Sequence, residues 1–269
     1  MLRLVQMAVL DRFRATGEDL YREVAHLADL TQGQDIVVAG CGRGVTTEWL
    51  ATRTGVSVTG VDPDPEDIDR AETRARESGQ PLHLCYQQAP LDDLPYETNV
   101  FDAAIGEPEV AAAADPERAV SELVRVTKPM GSIVLLQVTW RSGLRDAFRD
   151  LVSERLGLRP RLLVEWKQAL RDAGVVDIQV DDWTDECEEE HDDDCGPQLH
   201  WQDKMRIVGH AFRRSGWKDA RQALARETEL LRELARDRTL GFSIIKGVKW
   251  PHAPGAGNNS AQPAAGSAG

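Results

Sequence analysis

Two short stretches stand out in this chain, Val37-Val-Ala-Gly-Cys-Gly-Arg-Gly44 and Gly60-Val-Asp-Pro63. The first ends an apolar run that predicts a strand and opens a glycine-rich loop before a predicted helix. Glycines let the backbone turn sharply and let a ligand approach closely, and the free amides of the following helix favour polar or anionic groups. Asp62, about 20 residues past the loop, can accept two hydrogen bonds from ribose hydroxyls. Together they predict a site for a nucleoside-containing cofactor at the carboxyl ends of two strands.

Around these stretches, strands and helices alternate. Continuous apolar runs, of the kind that suits strands buried on both faces, predict five strands, at 35–39, 56–61, 81–86, 100–105 and 132–138. Charged or amphipathic helical segments lie between them, including one at 116–126. Strands separated by helices indicate an α/β fold with a doubly wound, mostly parallel sheet and right-handed crossovers.

The second half of the chain departs from this alternation. Helices are predicted at 142–156 and 162–172, and strands at 175–180 and 241–250. We therefore expect one α/β core with a helical cap. The predicted division is N-terminal cap helices at 1–30, the cofactor-binding core at 31–183, an acidic loop and helical cap insertion at 184–238, the final core strand at 239–252, and an uncharged, disordered tail at 253–269.

At this point the sequence resembles the class I S-adenosylmethionine-dependent methyltransferases, particularly the small-molecule branch related to the ubiquinone and menaquinone methyltransferases. An NAD-binding loop more typically reads G-x-G-x-x-G, whereas Val45 stands where its last glycine would fall. The resemblance covers about 34–140. It rests on the two stretches above, on Asp92-Asp-Leu-Pro-Tyr-Glu-Thr-Asn-Val-Phe-Asp102 and on Pro116-Glu-Arg-Ala-Val-Ser-Glu-Leu-Val-Arg-Val-Thr-Lys-Pro-Met-Gly131.

The resemblance implies a Rossmann-like methyltransferase fold, whose seven-stranded sheet ends in an antiparallel hairpin. It also implies S-adenosyl-L-methionine as the cofactor, with the glycine loop along its methionine part and ribose, and Asp62 on the ribose hydroxyls. The residues implied to bind the cofactor are Gly40, Cys41, Gly42, Gly44, Asp62, Pro63, Pro90, Leu91, Gly106 and Glu107.

Two positions depart from the family pattern. Val38 stands where the family usually has an acid, two residues before the first loop glycine, and Pro90 stands where an Asp often reaches the adenine amino group. Each missing hydrogen bond is worth about 1 kcal/mol, which weakens cofactor binding several-fold without abolishing it. A non-catalytic, methyltransferase-like partner subunit is the alternative that these departures leave open.

The net charge of −13 is concentrated in one segment. Ten acids and no Lys or Arg lie between 181 and 194, and the remainder of the chain holds 35 acids against 32 bases. An acidic chain is a poor candidate for binding a nucleic-acid backbone, which needs clustered Lys and Arg. No apolar run reaches the ~18 residues of a membrane span, and the first residues predict an amphipathic helix rather than a signal peptide. We expect a cytoplasmic protein, and the oligomeric state stays open.

The acidic segment contains Cys187, His191 and Cys195, with His200 nearby. Helical spacing would place the first three on one face, where thiolates and imidazole could bind zinc or another soft metal, as in a metal sensor or a metalloid methyltransferase. Mutual repulsion of the acids favours a solvated loop instead. A third alternative is a loop that attracts a cationic substrate.

Catalysis of methyl transfer demands few residues. The sulfonium is an activated donor, so the protein mainly aligns the acceptor and excludes water, and needs a base only if the acceptor must lose a proton. We name Glu107, at the end of the fourth strand, and His200 as catalytic candidates. The sequence thus predicts a methyltransferase acting on a small molecule and leaves the acceptor atom open.

Overall fold

The computed structural model describes residues 18–78, 83–141, 146–183 and 240–251. The elements, in chain order, are α1 (Glu18–Leu27), β1 (Asp35–Ala39), α2 (Val45–Thr54), β2 (Ser57–Asp62), α3 (Pro65–Glu77), β3 (Leu84–Gln88), β4 (Phe101–Gly106), a 3-10 helix (Pro108–Ala112), α4 (Pro116–Val126), β5 (Thr127–Trp140), α5 (Asp146–Leu156), β6 (Arg161–Leu162), α6 (Leu163–Asp172), β7 (Val175–Asp182) and β8 (Leu240–Lys249). The predicted cap insertion at 184–238 and the predicted tail lie outside the described residues, so the cap and the domain division stay predictions.

The strands form one mixed sheet in the order β3-β2-β1-β4-β5-β8-β7, with the two-residue β6 beside β5. Strands β1 to β6 pair in parallel, whereas β8 runs antiparallel to both β5 and β7. The predicted doubly wound, mostly parallel sheet of the α/β class is therefore confirmed, as is its antiparallel end.

Local sequence explains where the helices of the core begin. Asp64 accepts a hydrogen bond from the Glu66 amide at 2.9 Å, and Pro65 occupies the first turn of α3. Asp115 does the same for α4, accepting from the Arg118 amide at 3.0 Å. A side-chain acceptor at the N-cap satisfies an otherwise unpaired amide, and proline there loses no helical hydrogen bond.

Both faces of the sheet are covered. Residues of β1 alternate between two apolar clusters, with Ile36 and Val38 packing towards α1 and α2, and Val37 and Ala39 towards α4 and α6. All four side chains have essentially no exposed surface. A strand buried on both faces explains why the run reads as continuously apolar.

The register brings the ends of three strands to one edge. Ala39 of β1 pairs with Val61 of β2 on one side and with Gly106 of β4 on the other. The residues that follow each strand therefore meet at the carboxyl edge of the sheet. No helix within the described ranges is long and apolar enough to cross a membrane.

Candidate active site

The glycine loop turns away from the sheet in a left-handed backbone conformation. Gly40 has φ 78° and Gly44 has φ 75°, a region that residues with a Cβ rarely adopt. A Cβ on Gly40 would also lie 2.7 Å from the Cβ of Glu109. The loop is tied to the end of β2, since the amides of Gly40 and Cys41 both donate to the carbonyl of Val61, at 2.8 and 3.1 Å. Glycine is therefore required by the turn and by the close approach of Glu109.

Asp62 is held rigidly beside this loop. Its carboxylate is buried and accepts from the Gly42 amide at 2.9 Å and from the Asp64 amide at 2.9 Å. Burial raises the pKa of Asp62 above its ordinary value, while the two amides act in the opposite direction. Each carboxylate oxygen keeps a free lone pair, so the group can still accept hydrogen bonds from a diol.

A cavity of about 470 Å³ opens where the loop, Asp62 and the residues after β4 meet. This volume suits a small ligand. The described polar side chains that line the cavity are Arg43, Thr46, Asp62, Asp64, Asp67, Glu107 and Glu109. Apolar cover comes from distant parts of the chain, namely Leu20 and Tyr21 of α1 and Leu158 after α5.

The charges of this cavity are strongly biased. Five carboxylates line it, and Arg43 is the one cation among the described lining residues. The Arg43 guanidinium lies 3.6 Å from the Asp67 carboxylate and is thus partly neutralised. The cavity is therefore suited to a ligand that carries positive charge.

Glu107 is the most perturbed of these carboxyl groups. Its amide donates to the carbonyl of Ala39 at 2.9 Å, and Gln137 Nε2 donates to its carbonyl at 3.0 Å, so its backbone is fixed against β1 and β5. The Thr46 hydroxyl donates to its carboxylate, but no group in the described part of the chain forms a hydrogen bond with its buried Oε1. Burial is the largest cause, and the charges of Glu109 and Asp62 add to it; together they raise the pKa of Glu107 to about 8.

Cys41, in the wall of the same cavity, is not an activated nucleophile. Burial and the carboxylates of Glu107 and Asp62 raise the pKa of its thiol far above the ordinary value. A neutral thiol is a weak nucleophile and a poor metal ligand. Cys41 therefore acts as a small wall residue.

The structure brings together most of the residues that the sequence nominated for the cofactor. Gly40, Cys41, Gly42, Asp62, Pro63 and Glu107 all line the cavity. The other four nominated positions, Gly44, Pro90, Leu91 and Gly106, are not among its described lining residues.

The structure places those four positions elsewhere in the fold. Gly44 is the N-cap of α2, Pro90 is exposed, and Leu91 is buried in the apolar core. A Cβ on Gly106 would meet Leu135 Cδ2 at 2.7 Å, so this glycine permits close packing behind the strand. Their assignment to the cofactor stays a prediction.

Other nominated residues lie outside the described residues, namely His200 and the metal candidates Cys187, His191 and Cys195. Within the described ranges, no three His, Cys, Asp or Glu side chains are grouped so that they could hold a metal ion. Conversely, Leu20, Tyr21, Thr46 and Leu158 were not predicted for the site. Thr46 alone carried a local signal, since it lies in the first helical turn after the glycine loop.

Comparison with known proteins finds a methyltransferase family over part of the chain. Residues 37–135 match the family model described as a methyltransferase domain. The methyltransferase GfsG of Streptomyces halstedii is 26% identical over 143 residues, which are 53% of this chain and 51% of that protein. The chain thus spans about half the length of this curated relative.

Solved structures show the same fold at low identity. The crystal structure of the cyclase SpnF superposes with a TM-score of 0.64 at 23% identity, over 86% of this chain and 80% of that one. Phosphoethanolamine N-methyltransferase 2 of Haemonchus contortus, in complex with S-adenosyl-L-methionine, gives a TM-score of 0.67 at 19% identity, over 87% and 53% of the two chains. Residues 37–135 thus match a methyltransferase domain, and the sheet order and the glycine loop are those expected for the class I S-adenosylmethionine-dependent methyltransferases.

Proposed function

We propose that this protein transfers a methyl group from S-adenosyl-L-methionine to a small-molecule acceptor. One observation carries the proposal. The glycine loop, the doubly anchored Asp62 and the unpartnered Glu107 oxygen converge on one cavity of about 470 Å³. Each of these three features can contact a different part of the cofactor.

The residues present fit the cofactor. Gly40 and Gly42 line the cavity with backbone alone, and Asp62 presents its carboxylate to the ribose hydroxyls. The buried Oε1 of Glu107 is an acceptor that needs a donor, and an ammonium group supplies one. We assign Glu107 to the α-ammonium of the methionine part. This contact offsets the absence of an acid at Val38, because the Glu107 amide is bonded directly to the next residue of β1, Ala39.

The charge of the cavity also supports binding of S-adenosyl-L-methionine. When bound, the cofactor supplies a methyl group on a positively charged sulfonium, already activated for transfer. The lining acids, which are negative when ionised, favour such a cationic ligand. Leu20, Tyr21 and Leu158 give the cavity an apolar wall. Glu107 and His200 also stay the predicted catalytic residues, for an acceptor that must lose a proton before attack.

The open cavity supports an enzyme over the non-catalytic alternative, for which an occluded site is expected. No observation on the described residues favours the metal-binding alternative. Kinship with the ubiquinone and menaquinone branch and a cytoplasmic location stay predictions from the sequence.

The test is transfer of an isotope-labelled methyl group from the cofactor to a mixed panel of small amines, phenols, thiols and carboxylic acids. We expect labelled product with at least one acceptor class, and loss of that product in Asp62→Asn. Asp69→Asn on the exposed side of α3 is the matched control and should retain activity. A chain that binds the cofactor but labels no acceptor would contradict the enzymatic part of the proposal.

A further inference from the structure

A second, larger cavity lies next to the cofactor cavity. It has a volume of about 1230 Å³ and shares Ala112, Gly157 and Leu158 with the first cavity. Its walls are the segment from the 3-10 helix into α4 on one side, and α5 with the loop that follows it on the other. Because methyl transfer needs the acceptor against the cofactor, a cavity that shares a wall with the cofactor site is well placed to hold the acceptor.

Arg149 of α5 is the distinctive side chain in this cavity. Its guanidinium carbon lies 5.9 Å from the ring centroid of Trp140, which ends β5 and is only 5% exposed. The contact holds the charged group against an apolar surface. Its Nε is buried and has no hydrogen-bond partner among the residues that the structure describes. A buried donor without an acceptor is costly, so this geometry is suited to a ligand that brings one.

Three acids of the same cavity are already engaged elsewhere. Glu117 pairs with Arg161 at 2.6 Å, Asp115 caps α4, and Glu165 accepts from the Leu162 amide at 2.6 Å. None of these contacts reaches Arg149.

The remaining two acids, Asp150 and Glu154, are exposed on α5. Water screens carboxylates at such positions, whereas Arg149 is pressed against Trp140. Arg149 is therefore a local positive charge on a wall whose described acids are either engaged in other contacts or exposed to water.

We propose that this cavity is the acceptor site, and that it takes an acceptor bearing a carboxylate or phosphate group, which the Arg149 guanidinium binds beside Trp140. A planar guanidinium matches either oxyanion through two parallel hydrogen bonds. The Arg149 guanidinium then attracts an anionic acceptor, whereas the acids of the neighbouring cavity attract the cationic cofactor. This inference rests on the proposed function, because it names the acceptor of the same reaction.

The test compares matched anionic and neutral probes by calorimetry on the full chain. The probes are 4-hydroxybenzoate against 4-hydroxybenzamide, and phenyl phosphate against phenol. We expect the wild type to bind at least one anion about tenfold more tightly than its neutral partner, as one charge-assisted hydrogen bond provides. Arg149→Gln should abolish this preference, whereas Arg149→Lys should keep part of it.

The control variant is Arg76→Gln, an exposed arginine of α3 that pairs with Glu72. It should bind all probes as the wild type does. A variant that only disturbs packing would weaken the charged and the neutral probe alike, so the ratio between them reports the charge contact. A wild type without preference for either anion, or a preference that survives in Arg149→Gln, would overturn the inference.

Cofactor affinity, measured on the same samples, separates the two proposals. We expect S-adenosylmethionine to bind equally to the wild type and to all three variants. A chain that binds the cofactor but shows no anion preference overturns the acceptor assignment alone. A chain that fails to bind the cofactor overturns the proposed function, whatever the probes do.

Discussion

Replacing Glu107 by Gln should remove a proton-linked step from cofactor binding. Burial and two neighbouring carboxylates raise the pKa of Glu107 to about 8 in the free protein, so the group is mostly protonated at neutral pH. Contact with an ammonium group favours the carboxylate form. Binding of S-adenosylmethionine should therefore release a proton from Glu107, and the affinity should rise with pH.

The magnitude follows from the pKa. With a pKa of about 8, Glu107 releases close to 0.9 proton per cofactor bound at about pH 7, and this ionisation alone raises the affinity about 25-fold between about pH 6 and about pH 7.5. An α-amino group loses about a third of its protons by about pH 7.5, so the expected rise in affinity is about 15-fold. Glu107→Gln cannot ionise, so its affinity should not vary in this way. At the upper pH it should bind the cofactor about tenfold more weakly or worse, having lost a charged contact.

The assay is calorimetry in two buffers whose heats of ionisation differ, since the difference between the apparent enthalpies counts the protons released. Glu109→Gln is the informative companion variant. Removing that neighbouring charge should lower the pKa of Glu107 and shift the whole affinity profile to lower pH. Equal heats in both buffers, or a pH profile that survives in Glu107→Gln, would refute the assignment of Glu107 to the ammonium group.

Two further predictions concern the same cavity. Gly40→Ala should lower both the stability of the fold and the cofactor affinity, because its Cβ would lie 2.7 Å from Glu109 Cβ. Gly33→Ala is the control, since Gly33 also has a positive φ but no atom of the described residues lies within 4 Å of the position that its Cβ would take. In parallel unfolding experiments, Gly33→Ala should therefore show the backbone strain alone, about 1–2 kcal/mol. In the cofactor-free chain, Glu107 should contribute to the free energy of unfolding, and this contribution should fall as the pH rises from the ordinary carboxyl pKa to about 8. The reason is that the folded state holds the Glu107 proton more tightly than the unfolded state does. Denaturant titrations at several pH values should show this fall in the wild type and not in Glu107→Gln.

Much of the fold could be predicted from local patterns. β1 and α4 begin and end at the predicted residues, since a buried apolar run defines the first, and Asp115 with Pro116 defines the start of the second. β5 is longer than predicted, beginning at Thr127 rather than at Ser132. The Pro129-Met-Gly131 sequence reads as a loop, but Thr127 pairs with Phe101 of β4 before the register shifts. Pairing with a neighbouring strand therefore decided the structure of this segment, against its local sequence preference for a loop.

The candidate site, like the fold, could be predicted only in part from the sequence. Asp62 and the glycine loop were found because their spacing along two neighbouring strands is itself a signal. Tyr21, Leu158 and Arg149 were not, since they reach their cavities only through packing between elements far apart in the chain. The raised pKa of Glu107 could not be predicted from the sequence either, because it depends on burial and on the nearby charges of Glu109 and Asp62.

The dissociation constant of S-adenosylmethionine for the wild type, Asp62→Asn and Asp69→Asn tests the central claim most directly. Asp62 is buried beside the cavity, whereas Asp69 is exposed on α3, so the two variants make the same chemical change inside and outside the site. We predict saturable binding to the wild type, about tenfold or greater weakening in Asp62→Asn, and no change in Asp69→Asn. No binding to the folded wild type at millimolar cofactor, or equal affinities for all three proteins, would contradict the account.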